Sequence, residues 1–249
     1  MSLFNNRHLV NKKNCALIIL TALTQQAAHA AIALDRTRVI FNGDEKSITV
    51  NIRNDNNKLP YLAQSWVEDK EGNKIQSPFM ALPPLQRVEP NAKSLVKIQM
   101  SPGAQASLPQ DRESLFYFNL REIPPKSQKP NVLQLALQTR VKMFYRPIAL
   151  IKKDIGSETA WQEQLTLTRQ GDSYKVNNPT PYYITLVADG KVNMKPMMLD
   201  PKSSTDLGVS AAAMGSQPHI AYINDWGGRP ILTFGCSGNV CKVVANKSN

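Results

Sequence analysis

The chain has 249 residues and a formal charge of +11, of which Arg7, Lys12 and Lys13 near the start supply three. The remaining excess of +8 is modest and its Lys and Arg are scattered, which together with the export signal described next argues against nucleic acid as a partner. After the first 30 residues no segment is long and apolar enough for a membrane span, so the expected product is soluble and not membrane-embedded.

The first 30 residues read as an export signal. A basic start precedes the apolar run Cys15 to Leu23, too short to cross a bilayer, and Ala28-His29-Ala30 fits a small-residue cleavage site. Cleavage after Ala30 leaves 219 residues outside the cytoplasm.

Beyond the cut, Ala31 to Phe41 has mixed parity and reads as an edge strand. A turn at Asn42-Gly43-Asp44 leads to strands at Ser47 to Ile52 and, past the polar turn Asn54 to Asn57, at Tyr61 to Glu68. Pro83-Pro84 interrupts the chain before the cleanly alternating Ser94 to Met100, and the aromatic strand Ser114 to Ile123 follows. Asn131 to Pro147 then alternates for more than a dozen residues. Leu133, Leu135, Leu137, Val141, Met143 and Tyr145 share one parity; Gln134, Gln138, Arg140 and Lys142 share the other. Alternation alone fits a half-buried strand of a sandwich. It also fits a docking edge whose leucines enter another protein.

The second half repeats the pattern. Strands are expected at Glu163 to Arg169, Ser173 to Asn177, Tyr182 to Ala188, Met197 to Leu199, Ser204 to Gly208, His219 to Asn224, Ile231 to Cys236 and Cys241 to Val244. Short strands between Gly, Pro and Asn turns indicate an all-β fold of two immunoglobulin-like β-sandwich domains. The short polar link Lys152 to Thr159 sets the division, giving a signal at 1–30, a first domain at 31–152 and a second at 153–249.

Cys236 and Cys241 flank a Gly238-Asn239 pair suited to a hairpin turn, and an oxidising compartment would close them into a disulfide. Two thiols without nearby His or Asp are too few ligands for a metal. Catalytic chemistry finds little support. His219 is the one histidine left after cleavage, in an alternating strand, and no nucleophile-elbow, zinc-protease, phosphate-loop or C-x-x-C motif occurs. An enzyme would need a pocket around His219.

Six segments carry a specific likeness: LDRTR at Leu34 to Arg38, Asn54-Asp55-Asn56 with LPYLAQ at Leu59 to Gln64, DRESLFYFNLREIPP at Asp111 to Pro125, Asn131 to Pro147, NPTPYY at Asn178 to Tyr183, and INDWGGRP at Ile223 to Pro230. In this order and spacing, the chain resembles the periplasmic pilus (fimbrial) chaperones. The resemblance implies two immunoglobulin-like domains in a boomerang arrangement. It implies a chaperone that folds and caps pilus subunits (pilins and adhesin) by donor-strand complementation, then delivers them to an outer-membrane usher, without nucleotide or other cofactor. Leu133, Leu135 and Leu137 would enter the subunit's open groove. Arg38 and Lys142 would hold its terminal carboxylate, and Glu113, Arg146 and Asp225 would bridge the two domains. The connector between Ile123 and Val132 resembles the short-loop class; the departures from the family pattern fall around Asp189 to Ala213 and remove no motif. Lys142 has the opposite parity to the leucines, so twist, a bulge or a cleft wrapping round the strand is needed to reconcile them. A bare strand edge would also favour self-association of the free protein. The rival reading is a secreted immunoglobulin-like binding or adhesive module. It is disfavoured by a first strand that begins at Leu34, just after the cut, with no room for a polymerising extension.

Overall fold

The computed structural model describes residues 30–151, 160–190 and 192–247. The signal expected at 1–30, apart from Ala30, and the link 152–159 lie outside the described residues.

The first half forms two sheets around one core. One has the order β1 (Ile32–Leu34), β3 (Ser47–Asn54), β8 (Lys93–Met100), β6 (Phe79–Leu82). The other has the order β2 (Arg38–Asn42), β10 (Gln138–Arg146), β9 (Ser114–Ile123), β4 (Tyr61–Glu68), β5 (Lys74–Ile75), with β7 (Leu85–Val88) also on β4. Alternation explains the packing. In β3, Val50 and Ile52 are buried while Asn51 and Arg53 face water; in β8, Val96 and Ile98 do the same against Leu95 and Lys97. Each such buried side chain stabilises by about 1.5–3 kcal/mol. Phe79 is central, with ring centroids 4.8 Å from Phe41, 4.9 Å from Phe116 and 6.0 Å from Tyr145.

The expected single strand at Ala31 to Phe41 is two strands. The chain leaves the first sheet after Leu34 and joins the second at Arg38. Ile32 needs one sheet and Val39 and Phe41 the other, so the mixed parity records a crossing between layers. Both pieces are edge strands.

The second half is a single hydrogen-bonded path of eight strands: β14 (Met197–Leu199), β13 (Ile184–Val187), β16 (His219–Ile223), β17 (Ile231–Ser237), β18 (Val240–Lys247), β11 (Thr166–Gln170), β12 (Ser173–Asn178) and β15 (Ser203–Ser210). All eight strands contribute to one core that includes Leu167, Val176, Ile184, Leu186, Leu232 and Phe234, so the sheet curls over to enclose it. Register shifts at Thr233/Phe234 in β17–β18 and at Ser173/Lys175 in β12–β15 give the ladder places to bend. A short helix α1 (Ala211–Met214) follows β15, capped by Ser210 Oγ accepting from Ala213 N at 3.2 Å.

Two strands face each other where the halves meet. Below Lys142, β10 buries Met143 and Tyr145 in the first core, and on its other side Phe144 and Arg146 are also buried. β13 is buried on both faces, which accounts for Ile184, Leu186 and Val187, with Thr185 as its one polar residue. Phe144 stacks on Tyr183 at 5.5 Å, and Lys142 Nζ donates to Thr185 Oγ1 at 3.0 Å.

Candidate functional site

The stretch Asn131 to Pro147 is not one continuous strand. Its ladder with β9 starts at Gln138, pairing with Arg121, and residues 132–137 belong to no strand. The apolar parity runs unbroken through this division, but its environment changes. Val141, Met143 and Tyr145 are in the core, whereas Leu133 is 84%, Leu135 66% and Leu137 40% exposed. The opposite parity holds the segment in place: Gln134 Nε2 donates to Pro125 O at 2.6 Å and Gln134 Oε1 accepts from Ser127 N at 3.2 Å. Sequence reasoning passed over Gln134, whose signal was only its place among the polar residues of the stretch.

Arg38 and Lys142 are brought together. They stand opposite each other in the parallel pairing of β2 with β10. Lys142 faces the second domain through Thr185, and Arg38 Nη1 donates to Ile223 O at 3.0 Å. Arg38 is only 8% exposed, and its Nε is buried without a protein hydrogen-bond partner. Burial pushes the Lys142 ammonium below its ordinary pKa, and the neighbouring Arg38 pushes the same way. Burial also lowers Arg38, against the pull of Asp225 and Glu113. Two half-desolvated cations with spare donors form a site that an anion would relieve.

The parity conflict between Lys142 and the leucines is resolved without a bulge. The register of β10 is continuous on both sides. One face of β10 belongs to the first core and its extension carries the leucines; the other face, with Lys142, looks into the cleft beside the second domain.

Glu113, Arg146 and Asp225 also meet. Arg146 Nε donates to Glu113 Oε1 at 2.9 Å and Nη1 to Asp225 Oδ2 at 2.9 Å. Glu113 Oε2 accepts from Tyr183 N at 2.8 Å, and Glu113 N donates to Pro181 O at 2.9 Å. The guanidinium lies 5.1 Å from the ring of Trp161 and 5.2 Å from that of Tyr182, which stack on each other at 4.5 Å. Burial pushes the Glu113 carboxyl up to about 7, although Arg146 and the Tyr183 amide pull it down. Burial opposes the Arg146 charge, but Glu113 and Asp225 outweigh it and hold that group above its ordinary value. Two surface pairs reach across the same junction, Lys70 Nζ–Asp200 Oδ2 at 2.9 Å and Lys202 Nζ–Asp111 Oδ2 at 2.8 Å. Neither was visible in the sequence, because each joins residues far apart in the chain.

Cys236 and Cys241 form a disulfide across directly paired positions of β17 and β18, with Gly238 at φ +60° in the two-residue turn. His219 Nδ1 lies 3.1 Å from Thr233 Oγ1, a cross-strand neighbour. Among the described residues no cluster of His, Cys, Asp and Glu could hold a metal, and no helix is long and apolar enough to cross a membrane.

Comparison with known proteins places the chain in a family. A family model described as "Pili and flagellar-assembly chaperone, PapD N-terminal domain" matches residues 31–151, and "Pili assembly chaperone PapD, C-terminal domain" matches residues 160–234. The probable fimbrial chaperone YfcS of Escherichia coli (strain K12) is 48% identical over 239 residues, covering 93% of both chains. Chaperone protein PapD of Escherichia coli is 46% identical over 244 residues, covering 95% of this chain and 99% of its own. Among solved structures, the periplasmic chaperone SfaE matches with a TM-score of 0.63 and 28% identity, over 87% of this chain and 98% of that one. A chain of the Salmonella enterica SafA pilin–SafB chaperone complex matches with a TM-score of 0.67 and 26% identity, over 84% of this chain and 98% of that one. A chaperone with two immunoglobulin-like domains, not an adhesive module, is what fold and relatives have in common: the chain belongs to the PapD family of periplasmic pilus-assembly chaperones.

Proposed function

We propose that this chain folds and caps pilus subunits by lending residues 132–137 as the missing strand of an incomplete subunit sheet. The observation that carries this reading is the contrast along one face of one segment, exposed leucines continuing a buried apolar row. Apart from Leu137 O, which accepts from Glu122 N at 3.0 Å, the backbone of 132–137 lies outside any strand and offers a hydrogen-bonding edge, and Leu133, Leu135 and Leu137 supply side chains for a groove. Each leucine so buried contributes about 1.5–3 kcal/mol before the ordering cost of association is subtracted.

Arg38 and Lys142 anchor the subunit's terminal carboxylate, which accepts from both and offsets the cost of burying two adjacent cations. The anchor fixes where the borrowed strand begins and therefore its register. The Glu113–Arg146–Asp225 bridge orients the second domain so that the cleft wall stands beside Lys142. Release needs no catalysis by this chain; the next subunit's strand displaces the loan at an outer-membrane usher. The chain acts as a binding protein and not as an enzyme. Co-expression with candidate pilins tests the reading: a one-to-one periplasmic complex is expected, and failure to recover one with any subunit of its pilus system contradicts it.

A further inference from the structure

Trp226 is 75% exposed, a large apolar side chain left in water. It is not on a loose loop. Asn224 Oδ1 accepts from Trp226 N at 3.1 Å and Gly228 N at 2.8 Å, while Asn224 N donates to Gly228 O at 3.1 Å and Gly227 N to Asn224 O at 3.0 Å. The flanks of this turn are tied to the first domain beside the two cations. Asp225 holds Arg146, Ile223 O accepts from Arg38, and Gly227 sits at φ +84° so close to Thr37 that a Cβ there would stand 2.7 Å from Thr37 Oγ1. The indole is thus carried, exposed, on a rigid turn whose flanks touch Arg38, Arg146 and Thr37.

We infer that Trp226 is a subunit-contact residue that packs on the apolar side chain next to the subunit's terminal carboxylate; this rests on the reading of Arg38 and Lys142 as the carboxylate anchor. Three features favour that occupant. Arg38 contacts the carbonyl of Ile223, the last residue of β16 directly before the turn, so a carboxylate held by Arg38 brings its neighbouring residue close to the turn. A rigid aromatic loses little conformational entropy on contact, which is why exposed Trp is enriched at binding hot spots. No Cβ fits at Gly227 against Thr37, so the backbone of the turn lies directly beside the residue that precedes Arg38.

The test uses a C-terminal pilus-subunit peptide as the free acid and as its amide, with the full chaperone. Trp66 and Trp161 are more buried than Trp226, so the change in tryptophan emission on binding reports mainly on this residue. The free acid is expected to shift wild-type emission to the blue and leave that of Trp226→Ala unshifted. Trp226→Ala should dissociate about tenfold faster, the scale of one hot-spot contact, with Trp226→Phe in between. If Trp226→Ala binds like the wild type while the amide and Lys142→Ala bind weakly, the inference is overturned and the anchor stands. If the amide and Lys142→Ala bind as the free acid and wild type do, the anchor is wrong and the inference falls with it.

Discussion

Leu135 and Met143 lie on the same face of one segment, eight positions apart, yet Leu135 is 66% exposed and Met143 fully buried. The boundary between them is the point where β10 gains its partner β9. The two residues therefore answer differently to mutation. Leu135→Glu should abolish subunit capture and change unfolding free energy by no more than about 0.5 kcal/mol, as for ordinary surface sites. Met143→Ala should cost about 2–5 kcal/mol of stability. Denaturant unfolding alongside subunit pull-down checks both; a Leu135→Glu protein that unfolds would place that side chain in its own core.

Lys142→Ala should weaken the subunit complex by about 2–5 kcal/mol, because a carboxylate in the cleft would keep only Arg38. Removing one of two adjacent cations relieves repulsion and burial, so the free protein should be as stable as the wild type or slightly more so. Isothermal titration and thermal unfolding test the two halves; undiminished capture would refute the anchor.

The first domain shows how far sequence carries. Tyr61 to Glu68 and Ser114 to Ile123 are strands with the expected ends, because runs of aromatic and apolar residues bounded by turn signals are a local property. The same rule could not divide Asn131 to Pro147. Whether an apolar face finds a core depends on partners contributed from elsewhere: β2 and β9 reach Val141 and Met143 but not Leu133. The crossing at Asp35 to Thr37 was hidden for a similar reason, since parity records which side is apolar and not which sheet owns it. The cation pair came from family likeness. Its second-domain partners Thr185 and Ile223, and the tie of Gln134 to the proline connector, needed coordinates.

Glu113 gives the domain junction a pH dependence. Its carboxyl rises from 4.5 to about 7 on folding, so between these values the native state binds more protons than the unfolded chain. The contribution is fully present below about pH 4.5 and is lost as pH rises through about 7, with a slope of at most about 1.4 kcal/mol per unit. Glu113→Gln removes this titration. Unfolding measured from pH 4.5 to 8 should show the stability of wild type relative to variant falling as pH rises; parallel curves would mean the carboxyl titrates alike in both states.

The bare edge at residues 132–137 should also promote self-association when subunits are absent. Sedimentation over a wide concentration range should show reversible dimers or larger species that Leu135→Glu suppresses. A strict monomer at every concentration counts against an adhesive edge.

The most direct measurement is hydrogen exchange of the backbone amides of residues 132–137 in the free chaperone and in the subunit complex. The account predicts rapid exchange in the free protein, where the segment belongs to no strand, and strong protection in the complex, while Val141 to Tyr145 stay protected in both. Equal exchange of 132–137 in the two states would contradict it, since a lent strand must acquire new hydrogen bonds when the subunit arrives.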